Sequence, residues 1–418
     1  MNIVYYATPF FLLAILIELG WGIVRKKNTY RVNDSISSLN LGMMSTLSKL
    51  VFINVGMFFF SSIEQNLTLL AVDVNSISHW IVAVLFYDFC YYWFHRISHE
   101  RQLFWGAHVV HHQSEDYNLS TALRQTSTGF ILTWIFFIPC FFIGMPIAMY
   151  VTIASAHLVY QFWIHSRHIP KLGILERVLI TPSNHRVHHA QNSRYIDKNY
   201  GGLLIIWDRL FGTYAEEDTS EEIIYGIRTP LLSWNPILAN FHIYGGMLKD
   251  AWRTEKLSDK IAILWSPTGW RPADVMEKYP AKKTDLSDFK KYGPALSRRA
   301  KILLLSQYIF LLFYFSWFMV NLPQLTYQAV CLNATIMTLT AVVIGAVSGK
   351  ARYAATIEAT RVALLLATLI MVSNGDYPSL WLHLGGIYLV CSSVLTLLAL
   401  RVNKVEISSA ENPSLNNC

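Results

Sequence analysis

Apolar and polar residues occur in long alternating blocks along this chain. The first apolar block covers residues 4–24 and ends directly before Arg25, Lys26 and Lys27. About 20 consecutive apolar residues are enough for a helix to cross the hydrocarbon core of a bilayer. The pattern therefore predicts an all-α protein with several membrane-spanning helices. The other spanning candidates are 51–60, 79–94, 302–321, 325–348, 361–373 and 379–400.

One apolar block, at residues 130–163, is interrupted by Pro139, Gly144 and Pro146. A proline inside a helix removes a backbone donor and clashes with the preceding turn, so it breaks or kinks the helix. We therefore expect two short helices in this block. They are predicted to form a hairpin that enters the membrane and returns to the same side.

Basic residues lie beside several apolar blocks, at 25–27, 298–301 and 401–404. Because lysine and arginine are enriched on the cytoplasmic side of a membrane, these positions predict which helix ends face the cytosol. The stretch from 165 to about 301 is more polar and carries tryptophans typical of a membrane interface. It is therefore expected to form a cytosolic cap.

This organisation predicts five segments. They are N-terminal transmembrane helices at 1–74, a catalytic domain at 75–250, a cytosolic or interfacial linker at 251–300, C-terminal transmembrane helices at 301–402 and a disordered tail at 403–418.

Composition agrees with a membrane protein, since 53% of the residues are hydrophobic and only 15% are charged. The formal net charge of +7 is explained by basic residues beside the spans and by anionic lipid headgroups. No nucleic-acid partner is needed to account for it. The five cysteines are scattered without a CxxC pair, so we expect free thiols.

Candidate chemistry is concentrated in the histidines, because eleven of the fourteen lie between residues 95 and 189. One HxxxH and two HxxHH clusters supply eight imidazoles at spacings that place side chains on one face of a helix. Eight are too many ligands for one ion and suit two, so the clusters predict a dinuclear metal site. The eight are His95, His99, His108, His111, His112, His185, His188 and His189.

Further candidates lie close to these clusters. His165 follows a helical apolar run and is a ninth candidate metal ligand, whereas His157 and His168 are weaker ones. Glu100 directly follows His99. It is a candidate for the carboxylate that orients a ligating imidazole, with a solvated surface charge as the alternative.

The residue types alone leave the metal open, because imidazole suits zinc, iron, copper and nickel. Zinc would favour hydrolysis by an activated water. Iron would favour the activation of dioxygen. A membrane setting favours iron, since a lipid tail offers many C–H bonds and few bonds that water can cleave.

The motifs HRISHE, HVVHH and NHRVHH resemble the three histidine boxes of the fatty acid hydroxylase superfamily. These are integral-membrane di-iron enzymes that include sterol desaturases and lipid hydroxylases. The segments DFCYYWFHRISHE, SEDYNLSTALRQ, YQFWIH and IDKNYGGLLIIWDRLFGTY are similar to the alkylglycerol monooxygenase family within it. This similarity covers roughly residues 75–250, and the C-terminal group of spans also suits that family.

The resemblance implies an O2-dependent enzyme with two iron ions, which hydroxylates the carbon next to the ether bond of alkylglycerol lipids and gives a fatty aldehyde and a glycerol derivative. It implies tetrahydrobiopterin as the electron donor, the eight box histidines as iron ligands and Glu100 as an important acidic residue. The resemblance also includes His165, which matches a histidine in the YQFWIH segment of the family. The expected location is the endoplasmic reticulum of a eukaryote or the inner membrane of a bacterium. The basic residues beside the apolar blocks predict that the active site faces the cytosol.

Alternatives remain on the residues alone. One is another lipid hydroxylase or desaturase, acting on a fatty acyl, aminolipid or sterol substrate. The others are a zinc-dependent membrane hydrolase and a non-catalytic scaffold. The stretch SEDYNLSTALRQ has two interpretations, because Glu115, Asp116, Asn118 and Arg124 would suit either a headgroup contact or the capping of the next helix.

Overall fold

The computed structural model describes residues 3–52, 55–281, 283–373 and 379–411, and in these ranges the regular elements are all helical. This confirms the all-α prediction. The first helices in chain order are α1 (Ile3–Val24), α2 (Val32–Val51), α3 (Val55–Asn66), α4 (Ile77–Glu100), α5 (Gln102–Gly106), α6 (Val109–His112), α7 (Leu119–Ala122), α8 (Gly129–Leu132), α9 (Ile138–Phe142) and α10 (Ile147–Trp163). They are followed by α11 (Pro182–His188), α12 (Ile206–Leu210), α13 (Pro236–Arg253), α14 (Leu257–Trp265), α15 (Ala273–Lys278), α16 (Arg298–Asn321), α17 (Tyr327–Ser348), α18 (Ala354–Ser373) and α19 (Ser379–Glu411).

Among the described residues, three helical segments are long and apolar enough to cross a membrane: Tyr6–Val24, Arg298–Gln324 and Tyr327–Ser348. The helices α2 and α3 meet this condition only when they are taken together, as a fourth candidate. The other predicted spans are helical but do not meet the same condition of length and hydropathy. In α4, for example, Asp88 and three histidines interrupt the apolar sequence.

The chain divides into two compact units. The histidine-rich unit comprises Met1–Arg31, Ile53–Leu231 and Asn240–Lys290. Its largest apolar core is formed by buried residues of α3, α4, α9 and α10 with the turn that precedes α9, among them Phe60, Tyr87 and Phe141. Stacking of the Phe60 and Phe141 rings, with centroids 4.0 Å apart, joins α3 to α9.

The helix-bundle unit comprises Val32–Phe52, Leu232–Ala239 and Lys291–Cys418. Two of its helices, α16 and α17, begin at side-chain caps. Ser297 accepts a hydrogen bond from the Ala300 amide, and Thr326 accepts one from the Ala329 amide. Small residues on α17, such as Ala341 and Ala346, are fully buried in the core that α17 shares with α2 and α16. Small side chains allow membrane helices to pack closely.

Three findings differ from the predicted segments. The helix α2, expected among the N-terminal spans, belongs to the helix-bundle unit because its buried face packs on α16 and α17. The predicted linker 251–300 contains α14, which packs on α5, and the Gln102 amide donates to the Ser266 carbonyl at 3.1 Å. The helix α19 continues through 403–411, where a disordered tail was expected, and 412–418 lie outside the described residues.

Four of the five cysteines lie in the described ranges, and all four are free thiols as predicted. The Sγ atoms of Cys90 and Cys140 lie 3.8 Å apart within the apolar core of the histidine-rich unit. Cys418 lies outside the described residues.

Candidate metal centre

Nine imidazoles converge inside the histidine-rich unit in two groups. In each group, one ligand atom per residue lies within 4.8 Å of the corresponding atoms of all the others. The two groups adjoin, since the rings of His112 and His189 stack with centroids 4.3 Å apart. The five-histidine group is His95, His99, His108, His112 and His188. The four-histidine group is His111, His165, His185 and His189.

The two groups follow the spacing within each histidine box. Pairs four residues apart share a group, as His95 and His99 do at the end of α4, because a helix places them one above the other on the same face. His108 and His111, three residues apart, join different groups. The second and third boxes therefore each contribute to both groups.

Local sequence fixes the third box on a short helix, α11. Thr181 caps this helix by accepting a hydrogen bond from the Asn184 amide, and Pro182 occupies its first turn, where no backbone donor is needed. The helix is buried throughout. It therefore holds His185, together with its two neighbours in the box, in a fixed relative orientation.

Main-chain carbonyls determine the tautomers of several rings. The Nδ1 of His111 lies 3.0 Å from the Arg124 carbonyl oxygen, and the Nδ1 of His165 lies 2.8 Å from that of Gln161. A carbonyl oxygen only accepts hydrogen bonds, so each Nδ1 carries the proton and each Nε2 carries a lone pair. These two Nε2 atoms lie 3.1 Å apart. Two lone pairs facing each other at that distance repel unless a cation lies between them.

The separations between ring nitrogens also fit a metal ion. With metal–nitrogen bonds of about 2.1 Å, adjacent ligands lie roughly 3.0 Å apart at right angles and about 3.4 Å apart in a tetrahedron. The Nε2 atoms of His185 and His165 are 3.0 Å apart, and those of His185 and His189 are 3.1 Å apart. In the other group, the Nε2 of His108 lies 3.1 Å from that of His95 and 3.2 Å from that of His112. The residues present therefore fit metal ions.

Burial keeps these imidazoles neutral, which is the form that binds metal. The pKa of His111 is lowered to about 4, chiefly because burial penalises the charged ring. The pKa values of His185 and His189 are well below the usual value, first because of burial and then because of neighbouring imidazoles. The His99 Nε2, the His185 Nδ1 and the His188 Nε2 are buried without a hydrogen-bond partner.

Glu100 lies at the end of α4, where its carboxylate accepts a hydrogen bond from the Arg96 Nε at 2.9 Å. The Glu100 side chain is 31% exposed. The hydrogen bonds described for its carboxylate are with Arg96 and not with an imidazole. Where an imidazole of the two groups has a hydrogen bond at Nδ1, its partner is a main-chain carbonyl, which orients the ring. The sequence hypothesis gave this orienting role to the Glu100 carboxylate.

His157 and His168 lie outside both groups. The Nε2 of His157 lies 2.7 Å from the Asp88 carboxylate, and its Nδ1 lies 2.7 Å from the Gln161 Nε2. Asp88 also accepts hydrogen bonds from the Leu203 and Leu204 amides and the Trp207 indole. Sequence reasoning missed this residue, although a carboxylate within an apolar block was a signal for it.

The stretch SEDYNLSTALRQ, which follows the second histidine box, makes hydrogen bonds that cap a helix and hold the main chain. Asn118 caps α7 by accepting a hydrogen bond from the Ser120 amide, and its Nδ2 donates to the Thr29 carbonyl. The buried Arg124 guanidinium donates to the Val110 carbonyl at 2.8 Å. These contacts fix the Arg124 carbonyl, which orients His111. The capping interpretation is thus supported for this stretch.

Comparison with known proteins gives consistent results. Residues 80–213 match the family model described as fatty acid hydroxylase. The chain is 35% identical over 368 residues to alkylglycerol monooxygenase of Danio rerio, covering 86% of this chain and 80% of that protein. It is 35% identical over 363 residues to alkylglycerol monooxygenase of Homo sapiens, covering 86% and 81%.

A more distant relative is ornithine lipid hydroxylase OlsE of Rhizobium tropici, which is 26% identical over 142 residues, or 32% of this chain and 41% of that protein. No solved structure matches the chain. The long matches extend well beyond the residues that form the two histidine groups.

Proposed function

Because the chain belongs to the alkylglycerol monooxygenase family, we propose that it hydroxylates the carbon next to the ether oxygen of an alkylglycerol lipid. It is an oxidoreductase and an integral membrane protein. The product is a hemiacetal, whose C–O bond breaks to give a fatty aldehyde and a glycerol derivative. The observation that carries the proposal is the pair of facing Nε2 lone pairs on His111 and His165.

We propose that two iron ions occupy the two imidazole groups. The proposed ligands are His95, His99, His108, His112 and His188 for one ion, and His111, His165, His185 and His189 for the other. Iron held in this way supplies dioxygen activation, which attack on an unactivated C–H bond requires. Neutral imidazoles in a buried site suit this chemistry because they bind the metal without needing deprotonation.

The reaction balances with a two-electron donor. One oxygen atom of O2 enters the C–H bond as a hydroxyl, and the other leaves as water with two protons and two electrons. Tetrahydrobiopterin is the proposed donor on family grounds. The chain's own residues orient the ligating rings through fixed carbonyls and exclude water by burial of the groups.

The proposed location follows the basic residues beside the apolar helices. Arg25 and Lys26 follow α1, so the end of α1 that precedes them is assigned to the cytosolic side. The catalytic centre is proposed to face the same side, in the endoplasmic reticulum of a eukaryote or the inner membrane of a bacterium.

The test is to reconstitute the full chain with iron in lipid nanodiscs. An alkylglycerol, O2 and tetrahydrobiopterin are then supplied, and O2 uptake and aldehyde release are measured. We expect equal amounts of both, no aldehyde from a diacylglycerol, and no turnover by His111→Ala. O2 uptake that occurs only with a sterol or an aminolipid would contradict the substrate. Zinc content with O2-independent hydrolysis would contradict the whole assignment.

A further inference from the structure

We propose that Asn199 and Asp208 are positioning residues for the five-histidine group. They hold the segment 197–201 in a conformation that aims two of its main-chain carbonyls at His188 and His95. The inference rests on the proposed function, because it takes these two histidines as ligands of one metal ion.

The segment 197–201 has an unusual backbone conformation. Asp197 and Asn199 have φ angles of 59° and 57°, in the left-handed region that residues with a Cβ rarely adopt. Strained backbone of this kind persists where the surrounding structure holds it, and it clusters at functional sites. Here two left-handed residues alternate with their neighbours.

The alternation directs two carbonyls to two rings of the same group. The Nδ1 of His188 lies 3.0 Å from the Lys198 carbonyl oxygen, and the Nδ1 of His95 lies 2.7 Å from the Tyr200 carbonyl oxygen. Each ring therefore donates from Nδ1 and keeps the Nε2 lone pair for a metal ion. One short segment thus sets both the tautomer and the orientation of two proposed ligands.

Asn199 fixes the middle of the segment and is fully buried. Its Nδ2 donates to the Asn184 carbonyl at 3.0 Å and to the Ala215 carbonyl at 2.8 Å. Its Oδ1 accepts from the Ala215 amide at 2.9 Å, and its own amide donates to the Thr213 carbonyl at 3.0 Å. The side chain therefore both donates and accepts hydrogen bonds. Asparagine is also one of the few residue types with a Cβ that adopt left-handed backbone.

Asp208 fixes the end of the segment. Its carboxylate accepts hydrogen bonds from the Tyr200 amide at 2.7 Å, the Gly201 amide at 2.8 Å and the Thr213 hydroxyl at 2.7 Å. Holding two consecutive amides fixes the peptide planes on both sides of Tyr200. The Tyr200 carbonyl consequently cannot turn away from His95.

The four-histidine group does not depend on this segment for its oriented rings. His111 and His165 donate instead to the carbonyls of Arg124 and Gln161. Loosening 197–201 should therefore weaken one metal site selectively. A general loss of folding would affect both sites together.

The test compares Asn199→Gly with a matched control, Asn192→Gly. Glycine permits the left-handed φ while removing the side-chain bonds. The buried Asn192 also donates twice from Nδ2, to Glu221 Oε1 and the Glu222 carbonyl, and accepts once, from the Ile224 amide. It makes the same number of side-chain bonds without fixing a carbonyl that faces a ring.

Iron per folded chain is titrated in the full-length protein, and the Mössbauer spectrum is recorded. We expect Asn199→Gly to weaken one of two sites by about 10–100-fold, as is typical when a contact that orients a metal ligand is lost. One quadrupole doublet should be lost or shifted while the other remains. Asn192→Gly should keep both sites, and Asp208→Asn should repeat the selective loss.

Equal weakening of both sites in Asn199→Gly, or unchanged binding at both sites, would overturn the inference. The wild type distinguishes this failure from that of the proposed function. If the wild type binds two iron ions and Asn199→Gly also binds two with an unchanged spectrum, only the positioning role falls. A wild type that holds no iron pair would overturn the proposed function and the inference together.

Discussion

The two units of this protein bury polar groups in opposite ways. In the helix-bundle unit, buried polar side chains pair donor to acceptor with one another. Arg361 donates to both Glu358 carboxylate oxygens, at 2.9 and 2.7 Å, and the Gln307 amide donates to Ser392 and Thr396. In the two histidine groups, four rings donate from Nδ1 to main-chain carbonyls, and the Nε2 atoms of His111 and His165 face each other.

This difference separates a structural polar cluster from a ligand site. Burying polar groups costs free energy unless they are hydrogen-bonded, and the bonds of Arg361 to Glu358 and of Gln307 to Ser392 offset part of that cost in the helix bundle. Facing lone pairs, as on His111 and His165, gain nothing from each other. Such an arrangement is stable only with a bound cation, so the comparison assigns metal chemistry to the histidine-rich unit.

The largest expected effect is that of His111→Ala. Removing this ring takes one of four proposed ligands from its group, so iron content should fall to one ion per chain or fewer and turnover should be abolished. The measurements are metal analysis and O2 uptake with an alkylglycerol. His79→Ala is the control, because His79 lies outside both groups and contacts the Asp73 amide. Full activity in His111→Ala would show that the two histidine groups are not the catalytic centre.

The helix-bundle unit should respond in stability rather than in metal content. Glu358→Ala leaves Arg361 buried without its carboxylate partner, which typically costs about 3–5 kcal/mol. The double variant Glu358→Leu with Arg361→Met should recover most of that stability, and both variants should keep the wild-type iron content per folded chain. Thermal unfolding in detergent and metal analysis check these outcomes. Loss of iron from the double variant would contradict the prediction that the buried polar pair of the helix-bundle unit affects stability and not metal binding.

Glu100→Gln should separate turnover from metal binding. Its carboxylate contacts Arg96 rather than an imidazole, so iron content should stay close to that of the wild type. We expect turnover to fall several-fold, because the resemblance to the family makes Glu100 an important acidic residue. Iron titration and steady-state kinetics on one preparation give both quantities. If iron is lost as completely as in His111→Ala, Glu100 is itself a ligand.

A smaller effect concerns pH. An unfolded imidazole has a pKa of about 6.5, whereas burial lowers the pKa of folded His111 to about 4. Between about pH 6.5 and about pH 4 the unfolded state therefore binds more protons than the folded state. The neutral His111 ring stabilises the fold fully above about pH 6.5, and this stabilisation is lost as the pH falls towards about 4. The Tm of the metal-free protein should therefore fall across this window. His111→Gln should show a smaller fall, and identical profiles would contradict the assignment to His111.

The sequence by itself determined the chemistry and much of the architecture. Box spacing placed His95 and His99 on one face of α4, because a helix repeats every 3.6 residues wherever it lies. The apolar blocks similarly predicted α1, α16 and α17, since hydropathy and length alone set whether a helix suits a bilayer. These features depend on residues close together in the chain.

Only the tertiary structure decided how the imidazoles divide and what orients them. His111 and His112 are adjacent in sequence, yet they join different groups because His165, just beyond the end of α10, approaches His111. The orienting carbonyls of Arg124 and Tyr200 belong to the main chain, which every residue type carries, so residue types could not identify them. Their roles arise from contacts between segments up to 105 residues apart, and such contacts exist only once the chain has folded.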